Sequence, residues 1–107
     1  MLMLFSPQCE HCQHETGELI KNIDQFKDIV VVMTTSMPFD SMFQFREKYK
    51  LASFKNIIVA QDVNYFLFSY YQSHFLPFLA FYNKKKELIS VSASQMPVNK
   101  IIEELNK

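Results

Sequence analysis

Two apolar runs separated by an amphipathic stretch are the feature that most constrains the fold of this chain. Leu2–Phe5 ends in Ser6-Pro7, as expected for a strand that enters a turn. Ile29–Thr34 is an uninterrupted, β-branched run, typical of a strand that is covered on both faces in a parallel sheet. Between the two runs, Glu10–Lys27 keeps its apolar residues at helical spacing. Strand, helix and strand in this order predict a βαβ unit with a right-handed crossover.

The same alternation continues through the middle of the chain. A helix is predicted from Pro38 to about Lys50, and a buried strand at Asn56–Ala60 follows it. Asp62 is placed to cap a further short helix that reaches Tyr71. The residues expected on the inner faces of these two helices are Phe39, Met42, Phe43 and Tyr49 in the first and Val63, Phe66, Leu67 and Tyr70 in the second.

A hairpin and a helix complete the chain. Phe78–Tyr82 and Leu88–Ser92 are predicted to pair about the polar turn Asn83–Lys86, and Pro97 begins the last helix. The predicted order is β-α-β-α-β-α-β-β-α, an α/β fold with helices on both faces of a mixed sheet. Since no repeat, linker or break in composition is visible, we expect a single domain over residues 1–107.

The composition excludes several classes of protein. Eleven basic and eleven acidic residues give no net charge, so we expect no nucleic-acid partner, because such proteins usually present a basic face. The longest apolar runs, such as Ile29–Met33 and Phe75–Tyr82, are far shorter than the ~20 residues of a membrane span. Met1–Phe5 leads into polar residues without a signal-like core. The only glycine, Gly17, lies inside the first predicted helix, which indicates close packing there.

The two cysteines form the motif Cys9-Glu10-His11-Cys12 at the start of the first predicted helix. Their spacing is too short for a bridge between distant elements of a fold. A C-x-x-C pair beside a strand–helix alternation is typical of a redox-active dithiol. The motif therefore predicts thiol–disulfide chemistry.

Three other interpretations fit the motif less well. Haem attachment requires histidine directly after the second cysteine, where Gln13 stands and His14 comes one residue late. A metal site that adds His11 and His14 to the cysteines is opposed by helical spacing, because the two residue types face opposite ways. Two inert buried thiols are opposed by the polar neighbours Gln8, Glu10 and His11. A metal-binding module stays open as an alternative.

The position of each motif residue in a helix predicts its chemical role. Unpaired backbone N–H groups at the helix N-terminus favour the anion of Cys9, the attacking species in disulfide exchange. Cys12, one turn later on the same face, is expected to be more covered and to resolve the mixed disulfide. Protonated His11 stabilises a nearby thiolate, whereas the charge of Glu10 opposes one.

A strand, a C-x-x-C pair that begins a helix and Pro77 before a late hairpin together resemble the thioredoxin fold over essentially the whole chain. The resemblance is nearest to the TlpA-like branch, related to the AhpC/TSA group. That branch has an extra helix and strand, here Phe39–Lys50 and Asn56–Ala60. It implies a mixed five-stranded sheet in which only the final hairpin breaks the parallel direction. The implied strand order is Asn56–Ala60, Ile29–Thr34, Leu2–Phe5, Phe78–Tyr82 and Leu88–Ser92.

The resemblance implies a thiol–disulfide oxidoreductase that acts on protein cysteines through Cys9 and Cys12 and exchanges electrons with a redox partner protein. It implies no cofactor and no metal. Pro77 corresponds to the cis-proline of the fold, and the backbone of Leu76 beside it would pair with an extended substrate. A setting outside the cytoplasm, periplasmic or membrane-anchored, is also implied.

The chain departs from the family pattern in ways that keep two further alternatives open. It begins directly with the redox strand, as glutaredoxins do, but Ser90–Gln95 lacks the glycine pair with which that family binds glutathione. Residues 1–8 contain no acid to accept the proton of Cys12, and Phe5–Gln8 replaces the segment with the usual tryptophan. A non-catalytic module that keeps the groove only to hold peptides is the other alternative.

Overall fold

The computed structural model describes all 107 residues. Every strand and helix predicted from the sequence is present, in the predicted order. The elements are β1 (Leu2–Leu4), α1 (Glu10–Lys21), β2 (Val31–Thr35), α2 (Phe39–Lys48), β3 (Ile57–Gln61), α3 (Phe66–Tyr70), β4 (Phe78–Tyr82), β5 (Leu88–Ser92) and α4 (Val98–Leu105). None of the helices combines the length and the apolar character that crossing a bilayer requires.

The five strands form one mixed sheet in the order β3-β2-β1-β4-β5, which confirms the predicted order. β1 runs parallel to β2, with Leu2 opposite Val32, and β2 runs parallel to β3. β4 runs antiparallel to both of its neighbours, with Leu2 opposite Ala80 across its border with β1. The C-terminal ends of the parallel strands therefore share one edge, where β1 leads into the C-x-x-C motif.

The two faces of the sheet carry cores of different size. On one face, α1, α2 and α4 contribute Leu19, Phe45 and Ile101 to a cluster of fourteen buried residues. On the other face only three residues, Leu4, Phe78 and Ala80, form the buried cluster, and side chains of α3 pack against it. We call these the large-core face and the small-core face.

α1 is shorter than the sequence predicts. It ends at Lys21, where the Asn22 side chain donates a hydrogen bond to the Glu18 carbonyl at 2.8 Å. The predicted continuation as far as Lys27 is instead a separate 3₁₀ turn, Ile23–Phe26. An asparagine that pairs with the preceding turn competes with the helical backbone, so the regular helix stops there.

The expected close packing at Gly17 is wrong. The residue faces solvent, and a Cβ atom placed on it would meet nothing within 4 Å. The glycine therefore serves no packing purpose in α1, and its backbone freedom is a cost to the helix.

The predicted inner face of α2 is only partly right. Met42 is buried as predicted, but Phe39 and Phe43 are 57% and 43% exposed and lie against each other outside the core. Phe45 takes the inner position, with its ring centroid 4.7 Å from that of Phe5. The contact with a buried ring of β1 sets the orientation of this helix, and such a contact cannot be read from apolar spacing alone.

The predicted inner stripe of α3 is wrong in three of its four residues. Leu67 packs against the sheet as predicted, but Val63, Phe66 and Tyr70 are exposed. The cause is a change of helical phase, because Asn64 has a left-handed backbone (φ 63°) and so does the residue after it. The regular helix therefore begins at Phe66 and turns different side chains toward the sheet.

The predicted capping role of Asp62 is confirmed, although the capped helix starts later than expected. The buried Asp62 carboxylate accepts hydrogen bonds from the N–H groups of Leu67 and Phe68 at 3.0–3.2 Å. It thereby satisfies two of the donors that a helix leaves unpaired at its N-terminus. The only helix of the small-core face is thus held by this carboxylate as well as by the packing of Leu67 and Phe68.

Candidate active site

A short turn places the C-x-x-C motif at the end of β1. Phe5 is fully buried, and the chain then reverses through Ser6–Gln8. The Cys9 N–H donates to the Ser6 carbonyl at 3.0 Å, and the Gln13 side chain donates to the Pro7 carbonyl at 2.8 Å. These bonds fix the turn against α1, so the motif is held by the backbone on both sides.

Cys9 is the N-cap residue of α1 and is half-buried. Its sulfur accepts a hydrogen bond from the Cys12 N–H at 3.3 Å, and its thiol donates to the Leu76 carbonyl at 3.7 Å. The N–H donor and the helix N-terminus both favour negative charge on this sulfur. Cys9 therefore lies at the N-terminus of the first helix, as the sequence predicts.

Cys12 is fully buried in the large-core face. Burial raises the pKa of the Cys12 thiol far above its ordinary value, and the interaction with Cys9 raises the pKa further. The Cys12 thiol is therefore protonated at neutral pH, whereas Cys9 is the sulfur that a partner molecule can reach. Cys12 is thus the more buried of the two cysteines, as the sequence predicts.

The loop before β4 supplies the wall opposite Cys9. The Leu76–Pro77 peptide bond is cis, as the resemblance implies, and Pro77 is buried. The Leu76 carbonyl accepts a hydrogen bond from the Cys9 thiol, whereas the Leu76 N–H has no hydrogen-bond partner in the protein. Leu76 therefore presents a free backbone donor beside the sulfur.

Glu10 and His11 lie at the surface of the site. Glu10 is exposed and makes no side-chain hydrogen bond or ion pair. His11 is also exposed, and its Nδ1 atom lies 3.2 Å from Oε1 of Gln95. The structure thus brings together Cys9, Cys12, Leu76 and Pro77, and it leaves Glu10 and His11 at the edge without a hydrogen bond to either sulfur.

Glu15 is a buried acid that the sequence reasoning missed. Its side chain is almost fully buried on α1, and Oε1 accepts a hydrogen bond from the Met96 N–H at 2.8 Å. Burial raises the pKa of the Glu15 carboxyl above its ordinary value. The sequence does contain an indication of this position: Glu15 follows Cys12 by three residues, and residues three apart lie on the same face of a helix.

A groove of about 780 Å³ lies between α1, the loop before Pro77 and the segment that joins β5 to α4, and neither cysteine lines it. Phe75, 69% exposed, stands at its rim. The sequence reasoning did not identify this groove, because nothing in the sequence shows that the β5–α4 segment packs beside α1. The lining residues are His11, His14, Glu15, Glu18, Phe75, Leu76, Ala93, Ser94, Gln95, Met96, Pro97 and Val98.

The four residues considered for a metal site do not converge. Cys12 is turned into the core, whereas His11 and His14 are exposed. No three of the histidine, cysteine, aspartate and glutamate side chains lie close enough together to hold one ion.

The sequence matches no protein-family profile and no curated protein. Its three-dimensional structure, in contrast, is similar to several solved structures. A secreted Mycobacterium tuberculosis disulfide oxidoreductase, described as homologous to Escherichia coli DsbE, is 17% identical with a TM-score of 0.79. That similarity covers 98% of this chain and 78% of the other.

Two further structures show the same similarity. Mycobacterium tuberculosis DsbF is 17% identical with a TM-score of 0.82, over 98% of this chain and 76% of its own. The exposed lipoprotein thioredoxin of Streptococcus pneumoniae is 25% identical with a TM-score of 0.70, over 98% of this chain and 81% of its own. The chain therefore has the thioredoxin-like fold, over almost its whole length.

Proposed function

We propose that the chain is a TlpA-like thiol–disulfide oxidoreductase, a single domain that acts on protein cysteines through Cys9 and Cys12. One observation carries the proposal: a half-buried cysteine caps α1 beside a free backbone donor, and the second cysteine of the motif lies buried behind it. The similar structures support it, since one is a disulfide oxidoreductase and another a thioredoxin.

The proposed reaction consists of two exchange steps. The Cys9 thiolate attacks one sulfur of a substrate disulfide; the disulfide breaks, and the departing substrate thiolate takes a proton. Cys12 then loses its proton and attacks the Cys9 sulfur, which releases the second substrate thiol and forms the Cys9–Cys12 disulfide. Two electrons pass from the chain to the substrate, and a redox partner protein returns them. The same steps run in reverse in an oxidase.

Cys12 needs a proton acceptor for the second step, because burial keeps its thiol protonated. We assign this role to Glu15, which is buried on the same face of α1 and whose raised pKa suits a group that takes up a proton. Its bond to the Met96 N–H holds the carboxylate in place. Glu15 would thus supply the proton acceptor that residues 1–8, which contain no acid, do not provide.

The remaining predicted site residues have supporting roles in this proposal. The free Leu76 N–H is available to pair with the backbone of an extended substrate, and Pro77 fixes the direction of that segment. His11, when protonated, and Glu10 act on the Cys9 thiolate through space in opposite directions. We also propose a location outside the cytoplasm, because similar structures include secreted and exposed proteins.

The test is the reduction of insulin by dithiothreitol. The chain should accelerate it, and Cys9→Ser should abolish the acceleration. Cys12→Ser should trap mixed disulfides with substrate proteins, whereas Cys9→Ser should trap almost none. Iodoacetamide should modify Cys9 before Cys12 in the reduced chain. Equal alkylation of both thiols, or full activity of Cys9→Ser, would overturn the proposal.

The groove favours one second candidate, a module that binds peptides without redox chemistry. The same experiment separates the two. Such a module would bind peptides equally well with serine at position 9, and it would not accelerate insulin reduction.

A further inference from the structure

An exposed apolar surface covers the outer side of α3. Val63, Phe66 and Tyr70 are 64%, 68% and 68% exposed, and together with Asn64 and Ser69 they surround one shallow hollow. Phe66 and Tyr70 are four residues apart in the helix, so their rings lie on one face of it. We call Val63, Phe66 and Tyr70 the α3 patch.

The part of the chain that carries the α3 patch has no charged residue. The twenty residues Val63–Tyr82 contain no Asp, Glu, Lys or Arg. The ten-residue helix α2 holds another exposed aromatic pair, Phe39 and Phe43, but it also carries two acidic and two basic residues. An uncharged aromatic surface can enter an apolar layer without the cost of desolvating a charge, and only the surface of α3 meets this condition.

Three consecutive lysines follow the uncharged segment, at the tip of the β4–β5 hairpin. Lys84, Lys85 and Lys86 are exposed, and none of their ammonium groups lies within 4.0 Å of a carboxylate. Asn83 fixes the turn, because its Oδ1 atom accepts hydrogen bonds from the N–H groups of Lys85 and Glu87 at 2.9 and 3.0 Å. The three lysines and Glu87 leave this lysine tip with a net charge of +2.

Tyrosine side chains connect the α3 patch to the lysine tip. The ring centroid of Tyr70 lies 4.8 Å from that of Tyr71, and the Tyr71 hydroxyl is hydrogen-bonded to the hydroxyl of Tyr82, the last residue of β4. Lys84 follows Tyr82 by two residues. One end of the aromatic surface therefore lies next to the positive charge.

The size of the patch indicates which partner it fits. An aromatic side chain has about 150–250 Å² to bury, so three side chains that are two-thirds exposed offer roughly 300–400 Å². A stable dimer or protein complex buries about 800 Å² on each partner, more than the patch supplies. A bilayer surface binds smaller apolar areas when basic residues add attraction to anionic lipids. Tyrosine suits such a surface, because its ring is apolar and its hydroxyl stays in water.

We propose that the α3 patch and the lysine tip together bind the surface of a bilayer that contains anionic lipids. The rings of Phe66 and Tyr70 enter the boundary between headgroups and acyl chains, and the lysines lie against the lipid phosphates. Because α3 lies on the small-core face and the cysteines belong to the large-core face, this contact leaves the cysteines open to substrates. The inference is independent of the proposed thiol chemistry.

The test measures sedimentation of the purified chain with vesicles of phosphatidylcholine alone and of phosphatidylcholine and phosphatidylglycerol in equal parts. We expect at least about ten-fold stronger binding to the anionic vesicles at about 0.01 M ionic strength, and loss of most of this difference at about 1 M. Lys84→Gln, Lys85→Gln and Lys86→Gln together should weaken binding to the anionic vesicles by about 100-fold, since each lysine near such a surface contributes about five-fold.

Substitutions of exposed aromatic residues locate the apolar contact. Phe66→Ser with Tyr70→Ser should weaken binding to both kinds of vesicle by about ten-fold or more. The matched control is Phe39→Ser with Phe43→Ser, which removes the exposed aromatic pair of α2 and should bind as wild type does. Cys9→Ser should also bind as wild type does. Urea denaturation shows that each variant is folded.

Several results would overturn the proposal. These are no sedimentation with anionic vesicles at low ionic strength, unchanged binding after the three lysine substitutions, or an equal loss of binding in the α2 control. A dimer that light scattering detects and that Phe66→Ser dissociates would assign the patch to a second copy of the chain instead. Loss of insulin reduction in wild type would overturn the proposed function and leave the bilayer contact standing.

Discussion

The large-core face and the small-core face of the sheet differ in what holds their helices. On the large-core face, three helices share fourteen buried residues. On the small-core face, α3 covers three buried residues and leaves several aromatic side chains, among them Tyr65, Phe66 and Tyr70, exposed to solvent. Shared apolar burial positions the first set of helices, whereas α3 packs on a much smaller cluster and is also held by the Asp62 carboxylate.

The candidate site lies where these two faces meet. Leu76 is the only residue that packs against both clusters, and its carbonyl faces the Cys9 thiol. The cysteines themselves belong to the large-core face, on α1. The site therefore combines a firmly packed reacting group with a loop that follows the less firmly packed helix.

The sharpest test of the comparison is a pair of substitutions on one strand. Phe81 and Phe78 both lie on β4, the first in the large cluster and the second in the small one. Phe81→Ala should lower the free energy of unfolding by about 4–5 kcal/mol, and Phe78→Ala by about 3 kcal/mol, because a small cluster at the surface relaxes more easily around a cavity. Urea denaturation measures both values. Equal losses would mean that the two faces are packed equally well.

The second prediction concerns the cap of α3. Asp62→Ala removes the acceptor of the Leu67 and Phe68 N–H groups and should cost about 1–2 kcal/mol. Asp62→Asn keeps an acceptor oxygen and should lose less. Urea denaturation measures the cost, and hydrogen exchange of the α3 amides shows whether that helix opens first. A loss spread evenly over all helices would contradict the separate dependence of α3 on its cap.

Sequence reasoning succeeds where one physical signal decides the structure. The apolar runs and turn residues define the strands, and the position of Cys12 one turn after Cys9 defines which thiol is buried. It fails where two elements must meet, as when Phe45 rather than Phe43 packs against Phe5. The left-handed residue Asn64 shifts the phase of α3 without a glycine to mark it.

The residues of the candidate site also fall into those that the sequence identifies and those that it does not. The cysteines are recognisable from their spacing at the start of a predicted helix, whereas Pro77 is recognisable only through the resemblance to the thioredoxin fold. Glu15 and Gln95 are not recognisable, because their roles depend on the β5–α4 segment lying beside α1. Contacts between residues eighty positions apart leave no periodic signal in the sequence.

The third prediction uses the titration of Glu15 on the large-core face. Burial raises its pKa in the folded chain, so the folded state holds this proton more tightly than the unfolded state. The stability that this proton contributes is present in full below the pKa of the unfolded chain, ~4.3. It is lost as the pH rises through the pKa of the folded chain. Glu15→Gln keeps an acceptor for the Met96 N–H without the charge. It should therefore be more stable than wild type at pH 8, with a difference that disappears below about pH 4. If the free energies of unfolding of wild type and Glu15→Gln ran parallel from about pH 4 to about pH 8, burial would not perturb the pKa of Glu15.

The smallest expected effect is at Gly17, on the solvent side of α1. Replacement by alanine adds a methyl group in open space and removes backbone freedom from the unfolded chain. Gly17→Ala should therefore raise the free energy of unfolding by about 0.5–1 kcal/mol, without a change in insulin reduction. Thermal unfolding measures the gain, and Gly17→Leu is the matched control, since a larger side chain should also be accepted where nothing lies nearby. If either variant were destabilised, the outer side of α1 would have to be in contact with another part of the chain, and the burial that holds this helix would not be confined to the sheet.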